Sequence, residues 1–265
     1  MFDVFLLSVL QGVAEFLPIS SSGHLAIGHK LLAIDEPALR LEVCLHFGTL
    51  LSVFVYYRKT IARLLGGCFL PSASREARRE SWAYAFKICA SAVPAVAVYF
   101  CFRSEIDSFF SNVKMVGALL MFTGAVLVGT RYLPRGTGGV TFFRAVAMGV
   151  GQAVALLPGV SRSGMTIACA RAGKVDPEKS AEFSFLMSAP LIVGGLVLEI
   201  AKCFGGEGSA GGGEGWGVLC AGMAVSAVVG YLSLSLLVKS LKGRWFWLFG
   251  PYCIAAGLLV AVFAS

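Results

Sequence analysis

Charged residues are scarce in this sequence. Of its 265 residues only 14% are charged while 57% are hydrophobic, and the mean hydropathy is +0.80. A soluble domain carries about 25% charged residues, so the composition excludes an ordinary soluble protein and indicates a polytopic membrane protein. Apolar stretches of 17 to 23 residues recur along the chain. Each is long enough to cross a hydrocarbon core of ~30 Å as a helix, and no stretch remains for a separate soluble domain.

The sequence also lacks paired cysteines and a recognisable leader. Its eight cysteines stand singly, mostly in apolar segments, which predicts small buried hydrophobic side chains and not a disulfide or metal framework. The first apolar run, 2–17, has no basic segment before it and no small-residue cleavage site, so we expect it in the mature protein. The net charge of +7 predicts no nucleic-acid partner, because the basic residues stand in short loops beside apolar spans.

Two hydroxyl-rich breaks interrupt the apolar pattern. Residues 18–24 read Pro-Ile-Ser-Ser-Ser-Gly-His, and residues 158–164 read Pro-Gly-Val-Ser-Arg-Ser-Gly. Proline and the polar residues after it would end a helix, so each break predicts a re-entrant pair of half-helices. The half-helices are expected at 2–17 with 25–34, and at 142–157 with a short piece ending at 171.

Full spans are expected after each break, and they make the two halves similar. They are predicted near 42–57, 82–102, 115–133, 183–201, 216–238 and 245–264. Glu42 and Glu182 open the next span 19 and 18 residues after Gly23 and Gly164, respectively. Because three is an odd number of spans, the two halves insert into the membrane in opposite orientations. We therefore predict an all-α membrane protein with six spans and two re-entrant pairs. Its two halves, about 1–135 and 136–265, form an inverted repeat. The glycine-rich stretch 205–215 is interpreted as an external connector.

Basic residues give the predicted orientation. The connections near 58–87, 131–144, 171–182 and 239–244 share one side in this topology and hold 16 of the 22 Lys and Arg residues. By the positive-inside rule this side is cytoplasmic, and both termini lie outside.

The two breaks form the tips of the predicted re-entrant pairs: the first tip is 18–24 and the second tip is 158–164. Both tips carry residues that a catalytic or binding site would need. Arg162 within a membrane is costly, and beside Ser161, Ser163 and Thr166 at the start of a half-helix it predicts a phosphate site. The alternative is an arginine paired with Glu15 or another carboxylate only to hold two helices together. Glu15 has Gln11 one turn before it on the same face, and its carboxylate would bind a divalent cation, act as a general base or neutralise the arginine.

The serines and the histidine of the first tip complete the candidate set. Ser21, between Ser20 and Ser22, is the candidate nucleophile, and His24 the candidate proton carrier. We interpret His29 and His46 as structural, with His46 facing the first span and able to support the site. A zinc site of His24, His46 and Glu15 has no recognised spacing.

These motifs resemble a known family, the undecaprenyl pyrophosphate phosphatases associated with bacitracin resistance. The segment 11–25 resembles that family's first signature. The segment 157–166, followed by 182–186, resembles its second signature, and 41–50 resembles the span between the two. The resemblance implies removal of the terminal phosphate from a C55 polyprenyl diphosphate, which regenerates the monophosphate carrier of bacterial envelope synthesis. It implies a multi-pass protein of the bacterial cytoplasmic membrane, with a fold of six spans and two re-entrant pairs and an active site open to the outside.

The resemblance also implies roles for particular residues. The catalytic residues would be Glu15, Ser21, His24 and Arg162. The substrate would be bound by Gln11, Ser20, Ser22, Ser161, Ser163 and Thr166. A divalent cation, Mg²⁺ or Ca²⁺, would bind at Glu15. Where some members have a glutamate this chain has Gln11, which removes a second carboxylate. The expected partners are the polyprenyl diphosphate and membrane lipids, and a homodimer is left open. A transporter or flippase for a lipid phosphate or small anion is the alternative function, because broken helices in an inverted repeat are a transporter design.

Overall fold

The computed structural model describes residues 2–25, 39–110, 112–204 and 215–263. Within these ranges the secondary structure is helical, apart from one isolated parallel bridge between Gly138 and Val175. The helices in chain order are α1 (Phe2–Ala14), α2 (21–25, as far as it is described), α3 (Leu39–Tyr56), α4 (Arg58–Phe69), α5 (Arg75–Phe110), α6 (Val113–Gly129), α7 (Phe142–Val154), α8 (Arg162–Ala172), α9 (Pro177–Phe204), α10 (Trp216–Lys242) and α11 (Phe249–Phe263). Most of the predicted piece 25–34, His29 and nearly all of the connector 205–215 lie outside the described residues.

Three of the described helices are long and apolar enough to cross a membrane. They cover Arg75–Ile106, Val113–Tyr132 and Trp216–Lys242, where the sequence predicts spans at 82–102, 115–133 and 216–238. Their outward faces carry large exposed apolar side chains, among them Phe100 and Leu232. Such surfaces are stable against lipid tails and not against water, so the protein is a membrane protein.

The two predicted breaks have the same local structure. α1 ends at Ala14 and α7 at Val154, and each is followed by the same pattern of turns over five residues before a helix resumes at Ser21 or Arg162. α1 and α7 contain 13 residues each, so each is ~20 Å long and too short to cross the hydrocarbon core alone.

Two expectations need correction. The basic stretch 58–81, predicted as a connection, contains α4 and the start of α5, because Ile61, Leu64 and Leu65 recur at helical spacing. The cysteines are free where the structure describes their side chains, yet the expected burial holds only for Cys253; Cys89, Cys101 and Cys220 are exposed. Apolar surroundings do not require burial when the solvent is lipid.

Helices α6 and α11 form the most extensive helix pair, and glycines on both allow their backbones to meet. A Cβ atom added to Gly117 would lie 2.8 Å from the Gly257 carbonyl oxygen, and one on Gly124 would lie 2.7 Å from that of Gly250. Close approach through small residues is the usual way in which helices associate in membranes, where no hydrophobic effect drives them together. This pair supports the second tip, because α6 also packs on α8.

Candidate active site

Serine hydroxyls cap the helix that follows each break. Ser161 is the N-cap of α8, and its hydroxyl accepts a hydrogen bond from the Gly164 N–H at 3.2 Å. Ser20 does the same for Gly23 at 3.3 Å, with a left-handed backbone at φ 69°. These hydrogen bonds satisfy N–H groups that a helix start would leave free. The Ser20 hydroxyl lies 3.4 Å from the Ser22 hydroxyl, and the Ser161 hydroxyl lies 3.3 Å from the Ser163 hydroxyl.

The two tips touch each other. A Cβ atom built on Gly23 would lie 3.2 Å from the Cα of Gly159, and one built on Gly164 would lie 3.4 Å from the Cβ of Pro18. Gly159 has a φ of +95°, which favours glycine, and its carbonyl accepts a hydrogen bond from Thr123 of α6 at 3.0 Å. The structure therefore places the N-terminal halves of α2 and α8 next to one another, as the sequence predicts for the tips.

The carboxylate of Glu15 lies where the tips meet. Its Oε1 is bound by the Arg162 guanidinium, and its Oε2 accepts a hydrogen bond from the Ser21 hydroxyl at 2.9 Å. Glu15 is 8% exposed, so this carboxylate is compensated by an arginine from the other half of the chain. Arg162 has five N–H donors and a 22% exposed side chain, which leaves donors for another anion.

Gln11 connects Glu15 to a histidine that was interpreted as structural. Its Nε2 donates to Glu15 Oε2 at 3.2 Å and lies 3.0 Å from Nδ1 of His46. Because an amide nitrogen only donates, Nδ1 of His46 is the acceptor and the neutral ring carries its proton on Nε2. His46 itself is 4.0 Å from Glu15. Nothing near His46 in the sequence pointed to a site, because His46 stands alone in an apolar span.

A cavity of about 280 Å³ opens beside Glu15 and Arg162. Its polar lining comes from both tips and from three further helices: Glu15, Ser20, Ser21, Ser22, His46, Gln152, Ser161, Arg162, Ser163 and Ser188. Its apolar lining consists of Ala14, Ala155, Leu156, Val160, Leu191 and Ile192. Cationic and hydroxyl groups next to an apolar wall suit an amphiphilic anion.

Three predicted site residues, Gln11, His24 and Thr166, do not line this cavity. Gln11 is fully buried and contacts Glu15 and His46 as described above. His24 Nδ1 lies 2.9 Å from the Ser20 carbonyl oxygen and its Nε2 lies 2.8 Å from the Tyr252 hydroxyl, on which the ring also stacks. Thr166 is fully buried, donates to the Arg162 carbonyl at 2.8 Å and lies 2.6 Å from the Ser184 hydroxyl. The contacts of His24 hold the first tip against α11, and those of Thr166 hold α8 against α9.

Gln152 and Ser188 line the cavity but were not selected from the sequence. Gln152 is 141 residues after Gln11, which is also the offset of Ser161 from Ser20. The ends of α1 and α7 are 140 residues apart, so aligning the two halves places Gln152 within one residue of the counterpart of Gln11 and would have pointed to it. Ser188 carries no such signal, because serines are frequent on the packed faces of these helices.

The donor set for a divalent cation is small. Among the described side chains, no group of three or more His, Cys, Asp and Glu residues gathers to hold a metal ion. The cavity offers the Glu15 carboxylate, and next to it Gln11, whose buried Oε1 has no hydrogen-bond partner. Mg²⁺ binds through one or two protein oxygens when phosphate oxygens supply the rest, so these residues fit such an ion together with a phosphorylated ligand.

Comparison with known proteins identifies the family of this chain. The family model described as Bacitracin resistance protein BacA matches residues 4–259. An undecaprenyl-diphosphatase of Desulfatibacillum aliphaticivorans is 36% identical, over 98% of this chain and 97% of the relative. An undecaprenyl-diphosphatase of Salinibacter ruber is 38% identical over 85% of this chain and 87% of the relative. A protein of Bacillus thuringiensis named undecaprenyl-diphosphatase 4 is 33% identical over 97% of this chain and 95% of the relative. The chain belongs to the BacA family.

Proposed function

We propose that this protein hydrolyses undecaprenyl diphosphate to undecaprenyl phosphate and inorganic phosphate, and so recycles the lipid carrier of bacterial cell-wall synthesis. The relatives bear the name of this enzyme at 33–38% identity over most of the chain. The observation that carries the proposal is the Glu15 carboxylate bound by Arg162 and Ser21 at the wall of the cavity. An anion-binding group, a hydroxyl and a base within contact of one another are what phosphoryl transfer requires.

Arg162 and the second tip hold the phosphoryl group. The remaining guanidinium donors, the hydroxyls of Ser161 and Ser163 and the start of α8 all face an anion in the cavity, and they stabilise the charge that grows on the phosphoryl oxygens. Ser20 and Ser22 line the opposite tip and add hydroxyl donors. Thr166 supports Arg162 through the backbone instead of reaching the substrate.

Glu15 accepts the proton of the attacking oxygen. In one route the Ser21 hydroxyl, which already donates to Glu15, attacks the terminal phosphorus and the bond from phosphorus to the bridging oxygen breaks. Prenyl phosphate leaves, and water then releases phosphate from the serine. In the other route a water next to Glu15 attacks directly and Ser21 only orients the carboxylate. Gln11 donates to Glu15 and links this carboxylate to the imidazole of His46.

A divalent cation, Mg²⁺ or Ca²⁺, is part of this proposal. Glu15 and the Gln11 amide oxygen would hold it, together with diphosphate oxygens. When bound, it would neutralise charge on the diphosphate and favour departure of prenyl phosphate. Gln11 brings no charge, so Glu15 is the single carboxylate among the described residues that line this site.

The inverted repeat of six spans and two re-entrant pairs is the architecture that we propose for the membrane. Its support is the pairing of the halves: α1 packs extensively on α10, and α7, its counterpart in the second half, packs extensively on α5. The helix that leads into each tip, α1 or α7, therefore lies against a long helix of the other half. The basic side would face the cytoplasm and the active site the periplasm or exterior of the bacterial inner membrane. The particle mass in detergent would test for a homodimer.

Release of inorganic phosphate by detergent-solubilised protein tests the function. No transport is measurable in detergent, so a pure flippase would release none, and a phosphatase would release phosphate in proportion to enzyme. The substrate is a polyprenyl diphosphate, and Arg162→Ala serves as the matched inactive control. Absence of phosphate release by folded wild-type protein with Mg²⁺ or Ca²⁺ present would overturn the proposal.

A further inference from the structure

Gln152 is, with Ser188, a polar residue of the cavity wall that the proposed chemistry does not use. It lies in the last turn of α7, it is 3% exposed, and neither its Oε1 nor its Nε2 has a hydrogen-bond partner. Buried side-chain amides in proteins are nearly always hydrogen-bonded, because leaving them unpaired is unfavourable. An unpaired buried amide that lines a binding cavity therefore points to a polar ligand at that position.

The position of Gln152 in the cavity wall indicates which part of the ligand it meets. Ala155 and Leu156 follow it at i+3 and i+4, and all three line the cavity. On α9 the same order recurs, because Ser188 is followed at i+3 and i+4 by Leu191 and Ile192. Within α9, residues at these spacings share a helix face. Ala155 and Leu156 lie in the turn that follows α7, where their N–H groups donate to the carbonyls of Gly151 and Ala153 and continue the last turn of the helix. In both segments a polar residue of the wall is thus followed within about one turn by two apolar ones.

This change matches the junction between the phosphate and the hydrocarbon of a lipid phosphate. The terminal phosphate has to lie at Glu15, Ser21 and Arg162, where the attacking oxygen and its base are. The phosphate attached to the prenyl chain then lies one bridging oxygen further away, between these residues and the apolar wall. Gln152 stands at that boundary.

We propose that the Gln152 side-chain amide donates a hydrogen bond to the prenyl-linked phosphate, while Leu156, Leu191 and Ile192 contact the first part of the prenyl chain. The inference rests on the proposed function for the identity of the substrate. It assigns Gln152 to the phosphate that stays on the lipid and not to the one that is removed. The reaction provides the probes to separate the two, because prenyl monophosphate keeps the first phosphate and inorganic phosphate is the second.

The experiment compares wild-type protein with Gln152→Leu, which has nearly the same volume and no donor. Hydrolysis of a fifteen-carbon prenyl diphosphate is inhibited with the corresponding prenyl monophosphate and, separately, with inorganic phosphate. We expect Gln152→Leu to raise the inhibition constant of the monophosphate and the KM about tenfold, the effect of one hydrogen bond to a charged group. The inhibition constant of inorganic phosphate should change less than about twofold.

Other outcomes overturn the assignment. A weaker inhibition by inorganic phosphate alone would place Gln152 at the terminal phosphate, and a loss of kcat with unchanged KM would place it in the chemical step. Unchanged constants for both inhibitors would leave the amide without a ligand. Ser240→Ala is the control, because Ser240 is buried and donates only to the carbonyl of Leu237 outside the cavity.

A stability measurement separates a structural role from a binding one. Since the amide has no partner in the protein, Gln152→Leu should leave the unfolding temperature unchanged or raise it, and a clear decrease would indicate a structural role. Prenyl monophosphate should stabilise wild-type protein against heat more than Gln152→Leu. This arm needs no turnover, so it decides the role of Gln152 even if the wild-type protein releases no phosphate and the proposed function fails.

Discussion

The guanidinium of Arg162 is bound to the carboxylate of Glu15, which lies 147 positions earlier in the chain. Arg162 begins α8 at one tip, and Glu15 follows α1 just before the other tip. The pair therefore exists only when the two halves are assembled. Ser21, which is equivalent to Arg162 in the repeat, binds the second oxygen of the same carboxylate. One carboxylate thus takes contacts from both halves, from Arg162 of the second and from Ser21 and Gln11 of the first.

Replacement of Arg162 tests whether this pair is catalytic or only structural. Arg162→Ala should lower kcat/KM for a polyprenyl diphosphate by about 100-fold or more, because it removes the main positive charge at the phosphoryl group. Arg162→Lys should recover only a small part, since an ammonium cannot hold the carboxylate and the phosphate with a planar fork. Phosphate release in detergent is the measurement.

The double variant Glu15→Gln with Arg162→Met supplies the control for this prediction. Removing one partner leaves a buried charge unpaired and costs about 3–5 kcal/mol, whereas removing both is close to neutral for folding. The double variant should therefore unfold near the wild-type temperature and stay inactive. Recovery of activity along with stability would show that the pair serves folding alone.

Ser21→Ala separates the two routes of attack. If Ser21 is the nucleophile, the alanine variant should lose phosphate release by at least about 100-fold, and Ser22→Ala, the matched neighbour without a contact to Glu15, should lose much less. Wild-type protein quenched during turnover of a substrate labelled in its terminal phosphate should then carry the label on Ser21. Substantial activity in Ser21→Ala, with no label on the protein, would assign the attack to water.

His24 and His46 make different contacts, which predicts different losses. His46→Ala should lower kcat, because it removes the imidazole that contacts the Gln11 amide and lies 4.0 Å from Glu15. If His24 acts through Tyr252, then His24→Ala and Tyr252→Phe should cause similar losses of a few-fold, and the double variant should be no worse than His24→Ala. The catalytic role predicted for His24 from the sequence would instead make His24→Ala far more damaging than Tyr252→Phe. Kinetics of the three variants distinguish these results.

The local features of the site could be predicted from the sequence, because they depend on short spacings. Proline followed by serines breaks a helix wherever it stands, and residues four apart, such as Gln11 and Glu15, share a face. The contact of Arg162 with Glu15 was among the possibilities that charge left open, since a guanidinium within a membrane requires a partner. Long apolar runs likewise predicted spans at 82–102, 115–133 and 216–238, where the structure has helices at Arg75–Ile106, Val113–Tyr132 and Trp216–Lys242.

The partners of single side chains on separate helices could not be predicted. His24 follows the serines in sequence, but the start of α2 turns its ring towards Tyr252, 228 positions later. His46 reaches Glu15 because α3 packs beside α1, and no local pattern records that packing. The cysteines of the long helices show the same limit, because hydropathy does not distinguish a lipid-facing side from a buried one.

Gln11→Glu tests the cation at the site. Removal of divalent ions with a chelator should abolish phosphate release from wild-type protein, and Mg²⁺ or Ca²⁺ should restore it. A second carboxylate beside Glu15 strengthens cation binding, so Gln11→Glu should lower the ion concentration for half-maximal activity by about tenfold. Gln11→Leu should raise it, because it removes the amide oxygen. If chelation has no effect, or if the three proteins show the same ion dependence, then Glu15 and Gln11 do not hold a cation, and Glu15 works as a base beside Arg162 alone.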